Sequence, residues 1–376
     1  MADNMFFSRD TKVFVAPLNA AGAESGVWEI PVLDGFSFSQ ATNTSEVTLN
    51  EMSADTAGTS RRGRKMFNDS YAPAEWSFST YARPFKSAGG VPAAANGLAD
   101  ATANNHHAVE ELLWAMMTGN GIQTGHAFQG FTLGTDDLDI SFVNSNKTSL
   151  GTCNIYFVLG STGESNVTYK IEKCCVNEAS LDFDIDGITT INWSGMGVKI
   201  VELDGSTPAR SRYEGSAPTD TGNFIRNRLT SLVASSTAPS STTYVLTLTG
   251  GSITISNNMT FVTPETLGVV NLPLAHVTGT RTIGGSFTCY LSNTSNSSMD
   301  LFETIIEDLQ GITNDFDLNF KIGGTSAPRM EMRMAACHLE VPTHSIEDVI
   351  SLEVNFHALG SDISSTDELT IKYVGA

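Results

Sequence analysis

Three aspartates at alternate positions, Asp182, Asp184 and Asp186, followed by Gly187, open like a calcium-binding loop, in which spaced carboxylates fold onto one ion. Such a loop ends on a carboxylate at its twelfth position, and Trp193 stands there. Leu181, Phe183 and Ile185 alternate with the aspartates, which is the period of a strand with one packed and one wet face. The stretch reads as a two-faced strand whose three carboxylates meet solvent or a cation-bearing partner, and no metal is expected. His106 and His107 are adjacent imidazoles with no third ligand at a recognisable spacing, so they read as solvated. Five cysteines (Cys153, Cys174, Cys175, Cys289, Cys337) form an odd, sparse set without zinc spacing. Cys174 and Cys175 point to opposite faces of a strand, so no bridge joins them, and a reduced, cytosolic origin is expected. There is no Gly-x-Ser-x-Gly, Walker loop, His-Glu-x-x-His or Gly-x-Gly-x-x-Gly, and the scattered Ser, His and Asp assemble into no triad. The expectation is a protein that is not an enzyme and carries no cofactor.

The cations are as informative as the acids. The chain has 376 residues and a net charge of −20, so a lone cluster at Arg61, Arg62, Arg64 and Lys65 stands out. One short cluster on so acidic a chain does not make a phosphate-gripping surface, because counterion release needs many clustered cations. It reads as a solvated or salt-bridging loop. Hydrophobic residues make up 40% and charged residues 16%, a globular balance with material for two or three cores. No apolar run is long enough for a membrane helix, and MADNMFFSRD shows no signal peptide, so Asn166-Val167-Thr168 carries no weight as a glycosylation site.

Those residues must be positioned by strands. Trp76 and Phe78 alternate with Ser77 and Ser79 directly after the basic loop, a half-buried strand. Before it, Lys12–Leu18, Val27–Leu33 and Phe36–Ser39 read as strands, with Glu46–Leu49 as a possible extension. The polar stretch Asn50–Lys65 reads as a long loop, and Lys86–His107 as a mobile Gly/Ala/Asn-rich connection. Val109, Leu112, Leu113 and Met116 have helical spacing and Gly119 stops them. Cys153–Leu159, Tyr169–Val176, Leu181–Ile185, Ile188–Trp193 and Val198–Val201 follow as strands.

The pattern then returns. Gly250-Gly251 precedes Ile253–Ser256 as Asp34-Gly35 precedes Phe36–Ser39. Ser286-Phe287-Thr288-Cys289-Tyr290 echoes Ser77-Phe78-Ser79-Thr80-Tyr81. Phe302, Ile305, Ile306 and Leu309 repeat the helix and Gly311 stops it. Ile350, Leu352, Val354 and Phe356 match Ile191 and Trp193. Four blocks in one order indicate an internal duplication. The expected division is a first domain over 1–203, a Pro/Gly/Ser-rich linker over 204–222 and a second domain over 223–376.

Over RRGRKMFNDSYAPAEWSFSTYARPF, NTSEVTLNE, CCVNEASLDFDIDGITTINWSGMG and GGSITISNNMTFVTPE the chain resembles the tail tube proteins of T-five-like long-tailed bacteriophages. The likeness covers almost the whole chain. It implies a mainly β fold with flanking helices: two duplicated tail-tube domains of β-sandwich or β-barrel type, whose strands build a closed tube in the oligomer. It further implies homotrimeric rings with pseudo-sixfold symmetry, stacked into the tube that conducts DNA, and contacts with the tape measure protein and tail-end proteins. Location in the virion tail after assembly in the host cytoplasm goes with it. Some family members carry a further immunoglobulin-like domain, which is not expected here because the chain ends at Ala376.

A DNA conduit should not hold phosphates, so an acidic wall suits it. Asp182, Asp184 and Asp186 are the expected lumen-facing carboxylates, with Glu46 and Glu51 adding to the same field. The Asn50–Lys65 loop, through Arg61, Arg62, Arg64 and Lys65, is expected to reach the adjacent ring, because stacking acidic rings needs local neutralisation. The alternatives are another virion or surface component (decoration, fibre or surface layer) and a carbohydrate-processing β-enzyme.

Overall fold

A computed structural model describes residues 6–47, 64–87, 102–124, 127–143, 150–160, 166–205, 207–208, 212–213, 223–236, 241–308 and 316–375. The first half runs β1 (Lys12–Pro17), β2 (Trp28–Ile30), β3 (Ser37–Ser39), β4 (Thr42–Val47), β5 (Lys65–Tyr71), β6 (Ala74–Tyr81), β7 (Pro84–Lys86) and β8 (His106–Ala108). It continues through α1 (Glu111–Thr118), β9 (Gln123–Thr124), β10 (Ala127–Phe128), β11 (Phe131–Leu133), β12 (Leu138–Ser141), β13 (Cys153–Leu159), β14 (Val167–Asp184), β15 (Thr190–Gly197) and β16 (Lys199–Leu203). A short β17 (Arg212–Tyr213) precedes the second half: β18 (Ser231–Ser236), β19 (Thr242–Val245), β20 (Leu248–Ser256), β21 (Thr260–Val262), β22 (Ala275–Val277) and β23 (Thr282–Tyr290). The chain closes with α2 (Ser298–Asp308), β24 (Phe316–Ile322), β25 (Arg329–Leu339), β26 (Thr343–Ser345), β27 (Ser351–Ala358) and β28 (Thr370–Val374).

The two halves repeat one pairing scheme. In the first, β1 pairs with β2 and β13, β13 with β14, β14 with β15 and β16, β6 with β15 and β3, and β4 with β5. In the second, β18 pairs with β19 and β24, β24 with β25, β25 with β27 and β28, β23 with β27 and β20, and β21 with β22. Every one of these pairings is antiparallel. The register superposes Phe78 on Phe287, as the SFSTY and SFTCY alternations require. It sets Phe38, opposite Trp76, in the place of Ile253, opposite Gly285.

Two strand pairings join the halves: β12 with β28, Leu138 opposite Tyr373, and β14 with β20. The C-terminal part of β14 pairs with β15 on one edge and β20 on the other, Asp182 lying between Thr190 and Ser252. The sequence reads β14 as two strands, but it is one strand of 18 residues. Its N-terminal part pairs with β13 and β16, and after a bulge between Val176 and Glu178 it passes into the joining sheet. The result is a continuous run of strands, β3-β6-β15-β14-β20-β23-β27, ending on β25 and β26.

The apolar side of that run is the core. Trp76, Phe78, Trp193, Leu181, Phe183, Ile253, Phe287, Val354 and Phe356 belong to one buried cluster. Burial of a Leu- or Phe-sized side chain is worth about 1.5–3 kcal/mol, so this face is the main cohesive element. Helix α1 is buried over its whole length against it, with Trp114 edge-on to Trp193 at 4.8 Å. The backbone N–H of Gly119 closes the helix on the Ala115 carbonyl at 3.0 Å. Leu309 and Gly311, read as the end of the second helix, lie outside the described residues, as do residues 88–101 of the long connection. Part of the segment read as a linker forms β17, which pairs in parallel with β2. No helix among the described residues is long and apolar enough to cross a membrane.

Candidate functional site

The other side of the same sheet is polar apart from Met196, which lies opposite Glu75. Paired positions across it read Ser79, Asn192, Ser180, Thr254, Gly284 and His357 in one row. Tyr81, Thr190, Asp182, Ser252, Ser286 and Asn355 form the next. Beyond these, Ser37, Ser77, Ser194, Glu178, Ser256 and Thr282 line up in register, and at the opposite end Asp184, Gly250, Thr288 and Glu353 do so. Period-two alternation places them all opposite the core residues. Short hydroxyl contacts tie neighbours together: Ser37 Oγ to Ser77 Oγ at 2.8 Å, and Ser79 Oγ donating to Asn192 Oδ1 at 2.7 Å.

The charge on this face has one sign apart from one imidazole. Glu75, Glu178, Asp182, Asp184 and Glu353 lie on it, and the seven strands β3, β6, β15, the 178–184 part of β14, β20, β23 and β27 contain no Lys or Arg. The imidazole, His357, is held by Glu340 at 3.1 Å. A surface of hydroxyls and carboxylates without Lys or Arg has no cations with which to grip a polyanion, and it repels one at close range.

Of the acids singled out in the sequence, Asp182 and Asp184 point outward from β14, while Leu181 and Phe183 are buried beneath them. The alternation ends there. Ile185 is 51% exposed rather than packed, because the chain leaves the strand at Asp184 and turns. The Asp184 carboxylate caps that turn by accepting the Asp186 N–H at 2.9 Å. Asp186 sits at the rim, 3.5 Å from the Arg228 guanidinium, with both side chains largely exposed. Among the described residues no group of acidic, His or Cys side chains is arranged to hold a metal.

The basic stretch stands on a separate element. β4 and β5 form a two-stranded hairpin whose pairing ends at Val47 and Lys65, with residues 48–63 between them in sequence. Arg61, Arg62 and Glu51 fall in that segment, outside the described residues. Arg64 Nε lies 2.9 Å from Glu46 Oε1, and Lys65 covers the Phe67 ring at 5.1 Å. Glu46 thus sits on the hairpin, not on the polar sheet. The second half has an equivalent hairpin, β21–β22, whose 263–274 tip is apolar: Leu267 is fully exposed, and Val269, Val270 and Leu274 are exposed beside it. The two hairpins touch where the Tyr71 N–H donates to the Asn271 carbonyl at 2.9 Å.

A second cluster has no counterpart in the sequence reading. His106 and His107 are buried, not solvated, because β8 pairs with β7 under the C-terminal strand. His107 Nδ1 lies 3.0 Å from Glu111 Oε2. Next to it the Tyr373 hydroxyl donates to Glu110 at 2.6 Å and accepts from Trp114 Nε1 at 2.8 Å. Burial pushes the Glu110 carboxyl up to about 7, although the Tyr373 bond and the Arg83 backbone N–H pull the other way. Tyr373 lies 263 residues from Glu110, so only the tertiary fold brings them together. The cysteines behave as read. Cys174 lies in the main core and Cys175 in a separate cluster on the other side, and all five are free and buried. Burial raises the thiols, Cys174 and Cys175 among them, which makes them poor nucleophiles.

Comparison with known proteins bears on what this arrangement is for. The family model for phage tail tube proteins matches residues 15–358. The tail tube protein pb6 of Escherichia phage T5 is 29% identical over 367 residues, spanning 96% of this chain and 74% of that protein.

Proposed function

The chain belongs to the phage tail tube protein family and is a structural component of a bacteriophage tail, and we propose that its protomers close head to tail into trimeric rings that stack around a DNA-conducting bore. Membership implies self-assembly into a tube and a structural rather than enzymatic role. The observation that carries the finer reading is the cation-free polar sheet. One face of seven strands is packed against helix and core, and the other offers hydroxyls and five carboxylates. Curved into a ring, that face is suited to a lumen in which like charge and the lack of cations let DNA slide. Screening over the ~8–10 Å Debye length leaves part of the repulsion intact at the wall.

The duplication supports the ring count. Two tube domains per chain, at 1–203 and 223–376 with the 204–222 segment between them, let three chains fill six quasi-equivalent places. Asp182 and Asp184 then line the bore with Glu75, Glu178 and Glu353, and Asp186 marks its rim. The β4–β5 hairpin, with Arg64 and Lys65 at the end of its pairing and Arg61 and Arg62 just before them in sequence, serves stacking. Glu46 and Glu51 act there, the first already paired to Arg64. Tape measure and tail-end proteins are the expected partners at the bore and the tube ends, and the host cytoplasm is the expected place of assembly.

Particle images of assembled protein test the ring. Three chains and six repeats around the bore are expected. Six chains per ring would overturn the trimer, and monodisperse protomers under all assembly conditions would overturn the tube reading itself.

A further inference from the structure

We propose that β26 of one protomer adds to β3 of the next, antiparallel, with Thr343 opposite Ser39, His344 opposite Phe38 and Ser345 opposite Ser37. The proposal rests on head-to-tail assembly and supplies its missing contact. The template is inside the chain. Where the polar sheet passes from one half to the other, β14 pairs with β20, Ser180 opposite Thr254, Leu181 opposite Ile253 and Asp182 opposite Ser252. If successive domains around the ring are equivalent, the joint between chains repeats this pairing.

The repeat supplies the register. Phe78 and Phe287 are equivalent, and they face Trp193 and Val354. Asn192 therefore matches Glu353, and their far partners Ser180 and Thr343 match each other. By the same steps Leu181 matches His344 and Asp182 matches Ser345. On the other side of the joint, Ser252 and Ser37 both pair with the serine preceding that phenylalanine, Ser286 and Ser77. Ser252, Ile253 and Thr254 thus match Ser37, Phe38 and Ser39.

Both edges are open. Among the described residues β26 pairs only with β27, and β3 only with β6. Open edges in a soluble structure are a liability unless something pairs with them. An exposed side chain points the same way. Ile346 stands where Phe183 stands in the first half. Phe183 is 3% exposed because it packs over Gly251, whereas Ile346 is 79% exposed. The residue matching Gly251 is Phe36, so a neighbouring Phe36 gives Ile346 its cover. Thr343 and Ser345 continue the polar face, and Glu347 falls in the place of Asp184. No charged side chain directly opposes another in the proposed register.

Cysteine cross-linking of the full chain tests the register. All five native cysteines are buried, so new surface thiols dominate the reaction. A Ser39→Cys, Thr343→Cys double variant, assembled and treated with a short bismaleimide, should give dimer and trimer bands on a denaturing gel. The offset double variant Ser37→Cys, Thr343→Cys should link several-fold less, and either single variant should not link. Hydrogen exchange on unmodified protein gives a second reading. Amides around 36–39 and 343–346 should exchange at least about tenfold more slowly in tubes than in protomers. Tubes that form while the matched pair links no better than the offset pair, or while these amides stay unprotected, overturn the pairing and leave the tube intact. Unmodified protein that never assembles overturns both.

Discussion

Glu110 is the residue with the most to lose. Its carboxyl is buried under Tyr373 and titrates at about 7, against an ordinary value of 4.5. Between those values the folded protomer keeps a proton that the unfolded chain has released. The stability tied to this group is full below about 4.5, declines as pH rises to about 7 and is flat beyond. A displacement of that size corresponds to a swing on the order of 3 kcal/mol. Urea denaturation of unassembled protomers across this window should show that decline, and Glu110→Gln should flatten it. An unchanged slope in the variant would remove Glu110 as the cause. Sequence patterning found the local players at this scale, among them Trp193, Phe78 and the outward Asp182 and Asp184, because strand alternation is a nearest-neighbour property. It missed the Glu110–Tyr373–Trp114 chain because Tyr373 is distant in sequence, and it misread His106 and His107 because the C-terminal strand that covers them is distant too, although His107's own partner Glu111 is four residues away. Trp193 donates to Thr80 Oγ1 at 2.9 Å and packs on Trp114, so Trp193→Ala should cost about 3–5 kcal/mol in the same denaturation assay. A cost under about 1 kcal/mol would mean the two-faced sheet is not the main cohesive element.

The elements divide into those with a strong period and those without. β6, β15, β20, β23 and β27 alternate cleanly and were legible, as were both helices. Strands β9 to β12 are two to four residues long, too short for alternation to register, and β14 looked like two strands because its bulge interrupts the period. The hairpins show how unequal the repeats have become. β4–β5 carries Arg64 and Lys65 at the end next to its connecting segment, while the β21–β22 tip is apolar, so the two are expected to contribute differently to stacking. Exposed ion pairs are each worth only about 0–1 kcal/mol, but a tube repeats them at every ring. Replacing Arg61, Arg62, Arg64 and Lys65 with Gln should leave circular dichroism and thermal unfolding of the protomer unchanged while shortening tubes in negative-stain images. Tubes of normal length and yield would show that this hairpin does not carry the stacking.

For the whole molecule, the seven-strand face is where carboxylates gather without cations and is the proposed wall of the bore. Composition announced a net charge of −20 but not where it would concentrate. Only the register shows that one face collects carboxylates without a single Lys or Arg. If that face is the bore, then Asp182→Lys with Asp184→Lys should still assemble, since both side chains are exposed. The resulting tubes should retain added double-stranded DNA at low salt and release it as salt rises. Variant tubes that retain no more DNA than unmodified ones would place the two aspartates away from the path. The most direct measurement is a reconstruction of the assembled tube at side-chain resolution. It should show β6, β15, β14, β20, β23 and β27 lining the lumen, with Asp182, Asp184 and Glu178 projecting into it and no Lys or Arg from these strands beside them. A map in which this face looks outward, and neutral or basic groups line the bore, would contradict the account.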